Sequence, residues 1–321
     1  MDIRLPRDPL WSQRDGAGAN SAIGKRTMIA EQIVNGVVLG SMYALVALGF
    51  TLVFGVLDKL NFALSELFML GGFVVIASVG LGAPLWLAGL LVLVVCGLLG
   101  LVVEFVSFRK FTSADAQVTA ALSSLAVGLI MIDLVQKTWG GEPVSVPVPI
   151  ERRRANVAFF GMQIQVLKIV ILAVTLVLMA VLHWLISRTA MGRNIRAVAE
   201  SPTFATLLGV DVKRVNQQTF FIASALAGAG GLMFSLRNGI ASSDIGFTFG
   251  LKALAIMAIG GMGDLRGAVL GGILVGVIES LAIQFGFGKL GEVIVWALMI
   301  LVLLARPGGL FGGAHTTEQR A

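Results

Sequence analysis

The chain has 321 residues, of which 57% are apolar and only 13% charged, about half the charged share of an ordinary soluble domain. A water-soluble fold of this size needs a charged surface, and 24 Lys and Arg with 18 Asp and Glu cannot cover one. The net charge of +6 lies in gaps between apolar runs and no recognition motif accompanies it, so nucleic acid is not expected as a partner and lipid is the expected solvent.

Residues 1–27 are polar, with no apolar run long enough for a signal peptide, and read as a disordered tail. Met28 directly precedes the first apolar segment and is a second candidate start. Apolar segments follow at 29–57, 62–82, 85–106, 118–135, 168–187, 219–236, 249–262, 266–285 and 291–305. About 20 helical residues match a hydrocarbon core of about 30 Å, and most of these segments reach that length. The segments 249–262 and 291–305 fall short. The expected fold is therefore all-α, a polytopic membrane bundle of about eight or nine transmembrane helices over residues 28–311, with a short tail at 312–321. The first run is too long for one untilted span and carries Gly36, Gly40, Gly49 and Gly55. It fits either a tilted helix or a short half-helix followed by a span. Cys96 is the only cysteine and lies within an apolar run, so no disulfide framework exists.

Three stretches are loop-like. Residues 107–117 form a short polar link. Residues 136–167 contain alternating Val and Pro, which favour extended backbone over helix. Residues 188–218 hold Arg188, Arg193, Arg196, Lys213 and Arg214. Placing that last loop in the cytoplasm puts about ten basic residues inside and seven outside, the direction the positive-inside rule favours. Nine crossings would then leave residues 1–28 outside, unless one segment fails to cross or translation begins at Met28.

The loop 188–218 contains a helix start at Ser201-Pro202, where serine accepts an orphan N–H and proline needs no partner for its own nitrogen. Gly209 is a natural stop. Between them Phe204, Leu207 and Leu208 stand at i, i+3 and i+4 and share one face. Such a short amphipathic helix can lie at the headgroup boundary, or it can dock as an apolar knob into a groove on a soluble partner.

Gly263, Gly267 and Gly271 repeat every four residues, and Gly272 and Gly276 repeat the spacing one position on. On a helix this leaves a smooth face for close approach, within one subunit or at a subunit interface or gate. Ionisable residues inside spans point to function. Glu279 lies near the middle of its segment and faces either an internal cavity or interface or a structural hydrogen bond. Asp133 lies toward one end of 118–135, while Glu66 and Glu104 sit near segment ends and can snorkel to an interface. The sequence has no P-loop pattern, so ATP is not expected to bind here. His183 and His315 are the only histidines; no metal set and no catalytic pair is evident, and an enzyme is not expected.

The stretch from Met191 to Val210 resembles the cytoplasmic loop of ABC importer permeases, and most closely that of the branched-chain amino acid (LivH) branch. The family's element reads Glu-Ala-Ala, three residues, then Gly; the positions here are Thr203-Phe204-Ala205, Thr206-Leu207-Leu208 and Gly209, so the alanine and glycine match and the glutamate does not. The segment Asn35 to Gly49 resembles the family's first segment, and Gly260 to Gly272 its glycine-rich one. Asn61-Phe62-Ala63, continuing into Glu66, resembles the family's Asn-Phe-Ala-His-Gly turn, with Leu64 and Ser65 in place of His-Gly. The resemblance spans about residues 28–311.

It implies a permease subunit in a bacterial inner membrane, with no cofactor of its own. The implied partners are a second permease, identical or homologous, two P-loop ATPases that hydrolyse ATP, and an extracytoplasmic substrate-binding protein. Glu200, Ser201, Pro202, Phe204, Ala205, Leu207, Leu208 and Gly209 would couple the ATPases to the spans, and Asn61, Glu66 and Glu279 are candidates for the translocation path or an interface. The implied substrate is leucine, isoleucine or valine, with another small amino acid, an amide or urea as the alternative. An ATP-independent transporter or channel is the rival class.

Overall fold

A computed structural model of the chain describes residues 12–111, 116–147, 156–159 and 162–311. Part of the proline-rich stretch, with Arg152, Arg153 and Arg154, and the tail 312–321 lie outside the described residues.

Helix α1 runs Ser12–Leu57, α2 Ala63–Gly80, α3 Leu85–Val103 and α4 Gln117–Trp139. After α4 come the short strands β1 (Val144–Ser145), β2 (Asn156–Phe159) and β3 (Met162–Gln165). Helices α5 (Val166–Arg188), α6 (Ala190–Glu200), α7 (Pro202–Leu207) and α8 (Val212–Asn238) follow. Strand β4 (Ile240–Ala241) precedes α9 (Ile245–Gly260), α10 (Leu265–Gln284) and α11 (Gly291–Ala305). Strands β2 and β3 form a hairpin, and β1 pairs antiparallel with β4, so the extended backbone expected in 136–167 is partly sheet.

Seven helices are long and apolar enough to cross a membrane, and α9 and α11 are shorter apolar helices, nine in all among the described residues. The all-α polytopic bundle expected from composition is the fold found. The first apolar run is one continuous helix rather than a half-helix and a span. Its helix begins at Ser12, so the second half of the expected disordered tail is helical; extending a nucleated helix costs far less than starting one. Residues 1–11 lie outside the described residues.

Burial sorts the helices into a core and a rim. α1 and α8 are largely enclosed, whereas α3, α4 and α5 are mostly exposed. What α3 exposes is a stripe of Leu90, Val94, Leu98 and Val102, four residues apart on one face. Only a hydrocarbon solvent tolerates such stripes on several helices of one molecule. Glu104 opens a single π turn, Glu104–Phe108, at the end of α3, where the Arg109 N–H donates to the Glu104 carbonyl at 2.9 Å.

Glycine sets the spacing of the core. A Cβ added at Gly276 of α10 would stand 2.3 Å from the Gly40 Cα of α1, and one at Gly272 would stand 2.8 Å from the Ala44 Cα. Gly267 presses against the Gly260 carbonyl of α9 in the same way, and Gly71 of α2 against Gly228 of α8. The glycine rows thus serve packing within this chain: Gly267 and Gly271 face α9, while Gly272 and Gly276 face α1. Gly263 departs from the expected helical series, because it sits before α10 with φ of +89° in the turn from α9. That turn needs a left-handed residue, which glycine supplies without strain.

This packing is open to a direct test. Gly276→Leu should destabilise the chain by about 1–3 kcal/mol through overpacking of two backbones. Gly89→Ala, where the added Cβ meets nothing within 4 Å, should be neutral or stabilising by up to about 1 kcal/mol. Thermal unfolding in detergent, followed by a dye that reacts with the buried thiol of the lone Cys96, measures both.

Candidate functional site

Two features emerge, one inside the bundle and one at its end. The inner one is a charge cluster shared by three helices. Glu279 of α10 accepts a hydrogen bond from the Tyr43 hydroxyl of α1 at 2.8 Å and an ion-pair contact from Lys252 Nζ of α9 at 2.8 Å. Lys252 also donates to the Tyr43 oxygen at 3.3 Å, which closes a triangle. All three residues are buried. The ammonium stands 5.6 Å from the Tyr43 ring centre and 5.8 Å from that of Phe249, within cation–π range. Arg237 near the end of α8 and Glu292 at the start of α11 lie within electrostatic range of Tyr43. Against the cluster stand the rings of Phe249, Phe68 and Phe234, with Phe249 stacked on Phe68 at 4.9 Å and meeting Phe234 edge-on at 4.4 Å.

Glu279 was legible from sequence; Lys252 and Tyr43 were missed. The signals were present: a single lysine inside the apolar run 249–262, and the chain's only tyrosine inside the first apolar run. What periodicity could not supply was that α1, α9 and α10 meet at this level.

Glu66 and Glu104 do not snorkel to an interface as expected. Both are buried, at 4% and 3% exposure, each with one carboxylate oxygen lacking a protein partner. Glu66 fits between Gly128 of α4 and Gly246 of α9; a Cβ at Gly246 would come within 2.3 Å of its free oxygen. Asn61 is also enclosed, and neither polar atom of its amide has a protein partner. It precedes Phe62, whose N–H donates to Ser124 Oγ at 3.0 Å and fixes the turn into α2 against α4. Neither Asn61 nor Glu66 joins the Glu279 cluster through a direct bond. Asp133 is exposed and pairs with Lys137 one turn on, a surface contact of little weight.

The second feature is α7. The Ser201 hydroxyl accepts the Phe204 N–H at 3.4 Å, Pro202 opens the helix, and Gly209 turns out of it with φ of +83°. Ala205 is buried beneath, while Phe204, Leu207 and Leu208 stand 68%, 78% and 81% exposed. Glu200 ends α6 on the exposed side. The knob is rigidly mounted at both ends. On one side Thr189 caps α6 at the Gly192 N–H, and the Arg196 side chain donates to the Ile186 carbonyl at the end of α5. On the other, Asp211 caps α8 at the Arg214 N–H. A groove beside the knob is lined by Met191, Asn194, Gly209, Asp211, Arg214 and Gln218.

Removing one partner of the buried pair should be costly. Lys252→Met strands a carboxylate and is expected to destabilise the chain by about 3–5 kcal/mol, whereas adding Glu279→Gln, which still accepts from Tyr43, should recover most of that loss. The Cys96 unfolding assay distinguishes the two variants.

The family model for the permease component of the branched-chain amino acid transport system matches residues 32–303. The high-affinity branched-chain amino acid transport system permease protein LivH of Salmonella typhimurium is 33% identical over 296 residues, 88% of this chain and 95% of that one. The corresponding protein BraD of Pseudomonas aeruginosa is 31% identical over 293 residues, again 88% of this chain and 95% of its own. The permease LivM of Escherichia coli matches a shorter stretch, 33% identical over 125 residues, 38% of this chain and 29% of that protein. This multi-pass membrane protein belongs to the branched-chain amino acid transport system permease family.

Proposed function

We propose that the chain is one membrane subunit of an ATP-driven importer of branched-chain amino acids in a bacterial inner membrane. Two separate ATPases work it from the cytoplasm, and a soluble binding protein feeds it from the other side. The observation that carries this reading is the exposed knob of α7. Three large apolar side chains on a capped two-turn helix are too exposed to serve the fold and too well held to be a floppy loop. That is the form of an anchor that enters a groove on another protein. The relatives named as branched-chain amino acid permeases support the substrate, and the partial likeness to LivM supports a second, homologous permease.

In this reading, closure of the ATPase pair on ATP pushes α7, and its caps pass the push to α5 and α8. The spans then re-aim a central path from the outer to the inner face. The basic residues around α6 and α8 support a cytoplasmic position for the knob. ATP is hydrolysed by the partners, and the chain itself needs no cofactor.

The test is co-purification with the ATPases. Phe204→Asp combined with Leu208→Asp should weaken their association by about 2 kcal/mol or more, roughly 30-fold, as expected for loss of a buried apolar anchor. The unfolding temperature of the chain should not change. Undiminished association would place α7 at the lipid headgroups and overturn the reading. Uptake of labelled leucine into proteoliposomes, with and without internal ATP, tests energy source and substrate directly.

A further inference from the structure

The Lys252–Glu279 pair is not the only contact that holds its helices together. Helices α9 and α10 are already locked by the Gly260–Gly267 contact, and α1 is locked to α10 by Gly40 and Gly276. An apolar pair of similar volume would hold the same helices without desolvating two charges. Within the pair, Lys252 sits at the middle of α9, while Glu279 lies in the half of α10 remote from the α9–α10 turn. Glu279 is five residues from the end of α10 at Gln284, and Gly291, the first residue of α11, packs against its Cγ with an added Cβ at 3.6 Å. With α7 in the cytoplasm, that end faces outward, the side from which substrate would arrive.

The chemistry of the site is amphiphilic. The cluster sets a lysine ammonium and a glutamate carboxylate 2.8 Å apart, with a hydroxyl donor on the carboxylate. Packed beside it is the ring cluster of Phe249, Phe68 and Phe234. A free α-amino acid with an apolar side chain has the same three parts, an ammonium, a carboxylate and a hydrocarbon branch.

We propose, building on the importer reading, that Lys252 and Glu279 are the receptor for the charged ends of an amino acid zwitterion. Glu279, with Tyr43 beside it, takes the ammonium; Lys252 takes the carboxylate; the phenyl rings take the side chain. In the structure the two residues satisfy each other, so a ligand enters by exchanging for their mutual bond. Exchange with a zwitterion leaves the site's net charge unchanged, and no buried charge is left unpaired at the end of it. A substrate with a net charge would strand one partner, and an uncharged amide or urea would leave both without a counter-charge. The pair thus selects for zwitterions over the uncharged alternatives.

The experiment uses the complete importer in proteoliposomes, with ATPases, second permease and binding protein, and measures the initial rate of ATP-driven leucine uptake. Lys252→Met with Glu279→Gln keeps the site neutral and the Tyr43 bond; it should retain its ATPases while uptake falls roughly 10- to 100-fold, the loss expected when charge-assisted bonds at the ligand's two ends are removed. The reversed pair, Lys252→Glu with Glu279→Lys, keeps an ion pair between the helices but turns the receptor around relative to the phenyl wall. It should unfold at a higher temperature than Lys252→Met and still fail to restore uptake. Uptake within twofold of wild type in either double variant would show the pair to be structural and overturn the proposal. Absence of ATP-driven uptake by the wild-type assembly is a different result: it removes the importer reading, and this inference with it.

Discussion

The constraint on which the rest depends is the absence of a hydrophobic force between helices in lipid. Acyl chains solvate leucine as well as a neighbouring helix does, so spans associate through close packing and polar contacts instead. The protein meets this with backbone-to-backbone approaches at glycine. Gly40 and Gly276 bring α1 onto α10, Gly71 and Gly228 bring α2 onto α8, and Gly260 and Gly267 bring α9 onto α10. These contacts draw α1 and α8 into the centre and leave α3, α4 and α5 as a greasy rim. They also bring together three polar side chains from α1, α9 and α10, which are otherwise far apart in the chain.

In this setting a buried ion pair acquires meaning. In water-soluble proteins such pairs often contribute little, because desolvation offsets attraction. Within a bilayer the desolvation penalty is larger and water is no longer an alternative partner. A cluster that survives there is tightly self-satisfied, and under the proposed exchange only a ligand presenting both charges leaves no charge unpaired. The unpartnered oxygens of Glu66 and Glu104 and the amide of Asn61 are a different kind of polar burial, single groups cradled by glycine or carried by a π turn. The difference lies in pairing, not in depth.

How much of this was readable from the chain follows from the range of each interaction. The spans were legible because hydropathy over about 20 residues is a local property set by bilayer thickness. Helix α7 was legible for the same reason, since Ser201, Pro202 and Gly209 act on backbone groups within a few residues of themselves. The glycine rows were legible as surfaces but not as assignments. That Gly267 and Gly271 meet α9 while Gly272 and Gly276 meet α1 depends on how α10 is rotated in the bundle. Gly263 misled because a four-residue spacing looks the same across a turn as along a helix. The charge cluster was half legible: Glu279 stood out alone, but Lys252 and Tyr43 are joined to it across 27 and 236 residues of chain. Snorkelling failed for Glu66 and Glu104 because depth in sequence is not depth in the assembly. Other helices pack over the ends of α2 and α3 and close the route to water.

The knob and the charge cluster are joined by one helix. Asp211 caps α8 directly after the knob, so a displacement of α7 acts on the first turn of α8. From there α8 runs through the middle of the bundle, pressed onto α2 at Gly228 and Gly231 and onto α3 at Ser224. Near its far end Phe234 meets Phe249 edge-on, and Phe249 lies under the ammonium of Lys252. At 1.5 Å per residue, the 22 residues from Val212 to Phe234 carry that contact about 33 Å along the axis. A stiff helix with backbone-close neighbours transmits an axial or tilting motion better than it absorbs one, because glycine contacts leave no compressible side-chain layer between the backbones. The same close packing that substitutes for the missing hydrophobic force therefore runs unbroken from the exposed apolar knob to the buried charge cluster.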